Sequence, residues 1–162
     1  MPTAIPLQPV SAYEFITPVV AHRGASGQAP ENTAAAIRLA AAQGAHWVEV
    51  DVTISADGFA VIHHDHDLKR CSDGSGLVIQ QPLAQLRNLD CGSWFDAQFS
   101  GEPLLALSDL VSLANELEIG LNLEIKPTPG REDETVWAIA DTLKTVHNDQ
   151  AILLSSFSVY AL

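Results

Sequence analysis

The sequence of 162 residues is poor in basic side chains, in cysteine and in long apolar runs. Eight Lys and Arg stand against 20 Asp and Glu, which gives a formal charge of −12, and no basic run is present. This balance argues against nucleic acid or an anionic membrane surface as a partner. The two cysteines, Cys71 and Cys91, form no C-x-x-C pair, so we expect free thiols in a cytoplasmic protein.

The sequence predicts neither a membrane span nor a targeting signal. No stretch approaches the roughly 20 apolar residues that a transmembrane helix needs. Residues 1–9 carry no cationic region, and their prolines interrupt any apolar run, so no secretory signal is expected. With 47% apolar residues the chain can build a core, and we interpret it as a globular cytoplasmic protein without a membrane partner.

Predicted strands and helices alternate along most of the chain. The β-type runs are 18–21, 47–54, 60–64, 121–125 and 151–154, and Asp57-Gly58 predicts a hairpin-like turn before the third. The predicted helices are 34–42 with Asn32 or Thr33 as N-cap, one that Ser108 caps and Gly120 ends, and one around 136–143. Residues 65–107 break this rhythm with glycines, prolines and one short amphipathic stretch. We expect them to form a loop-rich insertion folded over one end of the domain.

The alternation of strands and helices with short connections, and strands that are apolar on both faces, predict a parallel α/β sheet covered by helices. In the pleat, Val48, Val50 and Val52 share one face, while Glu49 and Asp51 share the other. The valines suit packing under helices, so the carboxylates point to the opposite side, as at the inner rim of a closed TIM-type (β/α) barrel. An open doubly wound sheet would need a G-x-G-x-x-G loop after its first strand, which the sequence lacks.

The number of strands is small for such a barrel. A complete barrel of eight strands needs about 250 residues. The sequence therefore predicts a single, partial barrel domain over residues 1–162 that is truncated after about five strands.

Charged residues stand at three strand ends where apolar residues are expected. These ends are His22-Arg23-Gly24, Glu49-Val50-Asp51 and Glu124-Ile125-Lys126. Burying one unpaired carboxylate costs several kcal/mol, so three such sites predict a shared catalytic centre in which carboxylates gather on a cation. An all-oxygen ligand set favours Mg²⁺ or Ca²⁺ over zinc.

The basic residues beside this centre suggest a phosphate substrate. If the strand ends converge, His22, Arg23, His64 and Lys126 surround the carboxylates. Arginine and a cation neutralise oxyanions, and two histidines can serve as general base and acid. The predicted reaction is phosphoryl transfer or phosphodiester hydrolysis. A zinc cluster of His63, His64 and His66 is an alternative.

Nine short motifs resemble one family when they are taken in order. They are His22-Arg23-Gly24, Pro30-Glu31-Asn32-Thr33, Glu49-Val50-Asp51-Val52, Asp57-Gly58, His64-Asp65, Gly92-Ser93-Trp94-Phe95, Gly101-Glu102-Pro103-Leu104, Asn122-Leu123-Glu124-Ile125-Lys126 and Ser155-Ser156-Phe157. Each alone is weak, but the ordered set resembles the glycerophosphodiester phosphodiesterase family over residues 18–160.

The resemblance implies a (β/α)₈ barrel enzyme that hydrolyses glycerophosphodiesters to sn-glycerol 3-phosphate and an alcohol with a divalent cation. It implies that residues 65–107 cap the glycerol side of a small-molecule substrate. By match to the family's motifs, the implied roles are acid and base for His22 and His64, metal ligands for Glu49, Asp51 and Glu124, and phosphate binding for Arg23 and Lys126.

Several alternatives remain open. The family's last strands are absent from the sequence, so the chain is alternatively an inactive fragment, or a module that binds a glycerophosphate-like ligand without turnover. Two copies pairing their open sheet edges into a homo-oligomer are a further alternative. Glu31 and Asn32 are interpreted as rim or capping residues rather than substrate contacts. Trp94 and Phe95 are interpreted as a small core of the insertion.

Overall fold

The computed structural model describes residues 19–162. The expectations for residues 1–9, and the first residue of the strand predicted at 18–21, lie outside the described residues and stay predictions. Within 19–162, no helix combines the length and the apolar character required to cross a bilayer.

Strands and helices alternate through the described part of the chain. The strands are β1 (Ala21–His22), β2 (Trp47–Ile54), β3 (Ala60–Ile62), β4 (Gly120–Ile125) and β5 (Ile152–Ser155). The α-helices are α1 (Ala34–Ala42), α2 (Leu83–Leu86), α3 (Leu107–Leu117) and α4 (Glu132–Thr145). Short 3₁₀ turns occupy Val78–Gln80, Ala97–Phe99 and Val159–Ala161.

Four of the five strands form a parallel sheet in the order β1-β2-β4-β5. The sheet and its covering helices confirm the predicted α/β barrel-type architecture. The fifth, β3, runs antiparallel to β2, with Val52 opposite Ile62. The chain reverses at Gly58, whose φ of 86° a residue without a Cβ adopts at little cost. A turn this short forces an antiparallel return, so β3 extends β2 as a hairpin and is not a barrel strand.

The main core lies between one face of the sheet and helices α1, α3 and α4. Its sheet side comprises Val48, Val50 and Val52 of β2 and Leu121, Leu123 and Ile125 of β4, all at most 2% exposed. Ile37, Leu110 and Ile139 pack against them from the helices. Each such side chain contributes about 1.5–3 kcal/mol on burial. The alternating residues of β2 and β4 must then face the other side of the sheet, as the pleat predicts.

The sequence predicts the start of α1 correctly but not the start of α3. Helix α1 has the expected bounds, and Thr33 caps it by accepting a hydrogen bond from the Ala36 N–H at 3.3 Å. The prediction that Ser108 caps α3 is wrong. That helix begins after Ala106, whose N–H donates to the Asp109 carboxylate at 3.3 Å.

Helix α3 also ends earlier than predicted. Glu118 takes the left-handed conformation with a φ of 52° and ends the helix, so Gly120 is free to begin β4. Gly120 has another reason to lack a side chain, because a Cβ there would lie 2.6 Å from the Trp47 ring. The glycine marks close packing rather than a helix stop.

A second, smaller cluster lies under residues 65–107, against β3. Its buried members are Val61, Leu68, Val78, Leu86, Cys91 and Leu104. Trp94 and Phe95 are not part of it. They form an edge-to-face ladder with Phe99, with ring centroids 5.6 and 5.8 Å apart, and Trp94 remains exposed. The hydrophobic core of this segment is therefore aliphatic rather than aromatic. Cys71 and Cys91 are both buried and free, as expected.

Candidate functional site

Three carboxylates meet on the sheet face opposite the core. Glu49 and Asp51 extend from β2 and Glu124 from β4, where Asp51 and Glu124 are register partners. One oxygen from each lies within 4.8 Å of the others, and among residues 19–162 no other group of three or more such side chains is this close. Asp51 is fully buried and Glu49 nearly so. The parallel register thus brings together the three acids that the sequence singled out.

This cluster has unused acceptor capacity. Among residues 19–162, Glu49 Oε1, Asp51 Oδ1 and Glu124 Oε1 are buried and accept no hydrogen bond of good geometry, although Lys126 Nζ lies within 3.4 Å of the last two. An unsatisfied buried carboxylate oxygen is costly, and a divalent cation satisfies several at once. An all-oxygen donor set fits Mg²⁺ or Ca²⁺. A zinc site would favour histidine or cysteine ligands, and this group contains neither.

The alternative zinc cluster is not assembled. His63 is buried, and its Nε2 lies 2.9 Å from the Asp67 carbonyl. His66 is exposed, and His64 contacts Asp65. These three histidines belong to no close metal-ligating group within the described part of the chain.

Two basic side chains border the acids. Lys126 Nζ lies 2.7 Å from Glu124 Oε1 and 3.4 Å from Asp51 Oδ1. Arg23 Nε lies 3.1 Å from Asp51 Oδ2. Burial disfavours the ammonium form of Lys126, but the two neighbouring carboxylates outweigh it and raise its pKa. The site therefore combines acids that suit a cation with donors that suit a phosphate.

Arg23 owes its position to an unusual turn at the end of β1. Its φ of 56° is left-handed, and its N–H donates to the Glu49 carbonyl at 2.8 Å and to Glu49 Oε2 at 3.1 Å. The next residue, Gly24, is also left-handed, and a Cβ on it would lie 2.7 Å from the Ala36 backbone. Close docking of this turn against α1 thus directs the arginine toward the acids.

Glu49 and Asp51 have different surroundings. Burial, then the negative charges of Asp51 and Glu124, raises the pKa of Glu49 to about 7. Asp51 is held by Asn32, whose amide nitrogen donates to Asp51 Oδ2 at 2.9 Å and whose amide oxygen accepts from the Asp51 N–H at 3.2 Å. Asn32 is therefore a support for Asp51 rather than a helix cap.

The structure places His22 beside Glu49, and it places His64 in a cleft with Glu124 and Lys126. His22 Nε2 is 3.8 Å from Glu49 Oε2, and its side chain is 67% exposed. His64 lines an open cleft of about 500 Å³ with Glu124, Lys126 and Phe157. Phe157 is exposed, and its ring centroid lies 5.7 Å from Lys126 Nζ. The imidazole of His64 is therefore accessible to a molecule held in this cleft.

Sequence reasoning did not find one part of the site. His64 Nδ1 lies 2.6 Å from Asp65 Oδ1, and Arg70 bridges Asp65 to Glu31. Glu31 in turn lies 2.8 Å from Arg23 Nη1. The His-Asp dipeptide was visible, but nothing in the sequence pattern of the loop marks Arg70. Only the fold shows that residues 39 positions apart meet.

Comparisons with known proteins point to one family. Residues 22–162 match the sequence pattern of the Glycerophosphoryl diester phosphodiesterase family. A phosphodiesterase from Oleispira antarctica, solved in complex with the product sn-glycerol-3-phosphate, is 46% identical with a TM-score of 0.88 over 92% of this chain and 61% of that one. A glycerophosphodiester phosphodiesterase from Agrobacterium tumefaciens is 33% identical, with a TM-score of 0.72 over 90% of this chain and 60% of that one.

A curated relative gives the same result at the level of sequence. The glycerophosphodiester phosphodiesterase of Caldanaerobacter subterraneus is 35% identical over 150 residues, which are 90% of this chain and 60% of that protein. The chain thus spans about 60% of the length of these relatives.

Proposed function

The chain belongs to the glycerophosphoryl diester phosphodiesterase family, a family of phosphoric diester hydrolases, and on that premise we propose that it hydrolyses glycerophosphodiesters to sn-glycerol 3-phosphate and an alcohol. The observation that carries the proposal is the convergence of three carboxylates with two basic side chains on one sheet face. The product bound to the Oleispira relative supports the choice of substrate.

The cation site is the first part of the proposal. Glu49, Asp51 and Glu124 would hold Mg²⁺ or Ca²⁺, since their closely grouped, buried carboxylate oxygens suit a hard cation. Such an ion, when bound, supplies positive charge that stabilises the developing charge on a phosphoryl group.

Phosphate binding is assigned to Arg23 and Lys126. Both side chains lie within 3.4 Å of the carboxylates and can donate charge-assisted hydrogen bonds to phosphate oxygens. Arg23 brings a planar fork of donors, and Lys126 brings a compact point charge. Together they would orient the phosphodiester between the two histidines.

Proton transfer is assigned to His22 and His64. One imidazole takes a proton from the nucleophile, which is water or the adjacent glycerol hydroxyl, as its oxygen attacks phosphorus. The bond from phosphorus to the alcohol oxygen breaks, and the other imidazole protonates that leaving oxygen. With the glycerol hydroxyl as nucleophile, water then opens the resulting cyclic phosphate. Each role contributes about 10²–10⁴-fold.

The test is release of sn-glycerol 3-phosphate from glycerophosphocholine, with and without EDTA. We expect turnover that EDTA abolishes and that His64→Ala lowers by at least about 100-fold. His147→Ala, on an exposed histidine paired with Asp149, is the matched control and keeps wild-type turnover. Turnover that is insensitive to EDTA, or wild-type activity in His64→Ala, would contradict the proposal.

Three alternative functions rest on the fact that this chain spans about 60% of the length of its relatives. In the described residues, β1 and β5 each pair with one neighbour. Phe157, Val159 and Tyr160 beside β5 are about 90% exposed. The chain would then be an inactive fragment, a glycerophosphate-binding module, or one half of a homo-oligomer joined through these edges.

Light scattering with calorimetry separates these candidates. A monomer that binds sn-glycerol 3-phosphate without turnover would favour the binding module, and a monomer that does neither would favour the inactive fragment. A dimer with turnover would favour edge pairing. The cytoplasmic location and the small-molecule partner stay proposals that rest on the sequence.

A further inference from the structure

Arg70 makes four short contacts to two acidic side chains. Its Nε donates to Asp65 Oδ2 at 2.6 Å, and its Nη2 donates to Asp65 Oδ1 at 3.1 Å. Its Nη1 and Nη2 donate to the two oxygens of Glu31 at 2.9 and 2.8 Å. One guanidinium thus holds two carboxylates in forked geometry, which fixes direction as well as distance.

The Asp65 branch leads to His64. The hydrogen bonds from Arg70 hold the pKa of Asp65 below its usual range, so this carboxylate is ionised and can only accept hydrogen bonds. Because Asp65 Oδ1 lies 2.6 Å from His64 Nδ1, the proton of a neutral imidazole is assigned to Nδ1. Nε2 is then the atom left to take up or give a proton.

The Glu31 branch leads to Arg23. Burial opposes the ionisation of Glu31, but hydrogen bonds from Arg70 and Arg23 outweigh it and lower its pKa to about 2. Glu31 Oε1 accepts from Arg23 Nη1 at 2.8 Å, and Arg23 Nε lies 3.1 Å from the buried Asp51. A continuous chain of ionic contacts therefore runs from Arg70 to the metal-ligating acids without Arg70 touching them.

The simpler interpretation of Arg70 is an ordinary surface ion pair. Exposed pairs typically contribute 0–1 kcal/mol, and Arg38 with Glu116 is an example in this chain, with both side chains more than half exposed. Arg70 differs because the side chains of Glu31 and Asp65 are only 14% and 24% exposed, and each of them contacts a second residue of the proposed site, Arg23 or His64. A role confined to surface stability does not account for this connection.

We propose that Arg70 is a positioning residue that locks the His64 imidazole in one tautomer and braces the Arg23 guanidinium, which rests on the roles proposed for those two residues in hydrolysis. Arg70 itself touches no reacting group. Through Asp65 it presents His64 Nε2 to the substrate, and through Glu31 it holds Arg23. Both sides of the phosphate site are then aligned by one side chain.

The test combines NMR of the histidine rings with kinetics in Arg70→Gln, Arg70→Lys and Arg38→Gln. Ring ¹⁵N shifts distinguish the two tautomers. They are recorded at pH 8.5, well above the ordinary histidine range near 6.5. The His64 signals are assigned by their loss in His64→Gln. Thermal melts establish that each variant is folded. Arg38→Gln removes a comparable arginine–carboxylate pair outside the cleft.

We expect a single Nδ1–H tautomer for His64 in the wild type and in Arg38→Gln, and a mixture of tautomers in Arg70→Gln. The same variant should lose about 10- to 100-fold in kcat, because a displacement of about 1 Å has effects of this size. Arg70→Lys should fold but show mixed tautomers and reduced kcat, since one ammonium cannot fork to both carboxylates.

The proposal is overturned if folded Arg70→Gln keeps the wild-type tautomer. It is overturned equally if Arg70→Lys restores both the tautomer and kcat, because a point charge would then suffice. If Arg70→Gln does not fold, Arg70→Lys decides by the same two readouts. The wild type could also show no turnover but a single His64 tautomer, with a mixture of tautomers in Arg70→Gln. That result would contradict the proposed hydrolysis and support the positioning role.

Discussion

Replacing Glu49 by glutamine should stabilise the cation-free protein while it abolishes cation binding. Glutamine has nearly the shape of glutamate and keeps an oxygen that can accept the Arg23 N–H, as Glu49 Oε2 does at 3.1 Å. It removes one negative charge from a buried cluster that holds Asp51 and Glu124 within 4.8 Å. The gain in stability and the loss of cation binding then have the same physical cause.

The magnitude follows from the pKa of Glu49. Burial and the two neighbouring charges raise this pKa from 4.5 to about 7, which corresponds to about 3 kcal/mol of destabilisation at pH 8. Solvent at the mouth of the cleft screens part of the repulsion, so we expect a gain of about 1–2 kcal/mol in Glu49→Gln. For a domain of this size the melting temperature would rise by about 2–8 °C.

The sign of the pH dependence follows from the same shift. At pH 4.5 the Glu49 carboxyl is protonated in the folded state and about half ionised in the unfolded state, so wild type and Glu49→Gln should differ by only about 0.4 kcal/mol. As the pH rises, the unfolded wild type ionises first, and the stability of the wild type falls relative to the variant. The difference in stability between wild type and Glu49→Gln reaches its full value above pH 7.

The assay is chemical denaturation in EDTA at pH 4.5 and pH 8, repeated at pH 8 with Mg²⁺. Mg²⁺ should stabilise the wild type and leave Glu49→Gln unchanged, because ligands that bind only the folded state raise its stability. Glu118→Gln, on an exposed residue, is the control. The reasoning is refuted if Glu49→Gln is no more stable than wild type at pH 8, or if the difference is the same at both pH values.

Two further predictions concern packing. Burial raises the pKa of both Cys71 and Cys91 to about 12, so neither thiol should react with iodoacetamide at pH 8 in the folded protein, while mass spectrometry should detect both as alkylated in guanidinium chloride. Gly120→Ala should lower the free energy of unfolding by about 1–3 kcal/mol, because the new methyl group would lie 2.6 Å from the Trp47 ring. Gly27→Ala, with open space around the new methyl group, is the control. Equal stability of the two variants would contradict this reasoning.

The architecture was predictable because it depends on residue patterns between near neighbours in the sequence. The alternation of valine with acid in β2 assigned each face of the strand, and the parallel order of strands and helices followed from their spacing. The bounds of α1 were likewise predictable, since a run of alanines is flanked by Thr33 and Gly44. These signals depend on neighbours in the sequence, and the fold confirms them.

The elements that were missed depend on distant contacts. The Asp57-Gly58 turn into segment 60–64 was predicted, but the inclusion of that segment among five barrel strands was wrong, because β3 runs antiparallel to β2. The start of α3 depends on the Asp109 side chain reaching back to the Ala106 N–H, where a serine two residues later is the more familiar cap. Arg70 and Glu31 are 39 positions apart and meet only in the folded chain.

The alternation of core and site residues along β2 and β4 also bears on how the chain finds its pairing during folding. Six consecutive residue pairs, from Trp47 with Gly120 to Val52 with Ile125, define one register. A slip of one residue would turn Asn122, Glu124 and Lys126 toward the helices and the leucines toward the cleft. Burying those charges among aliphatic side chains would cost several kcal/mol each. The side chains of the proposed active site therefore also destabilise a sheet with a shifted register.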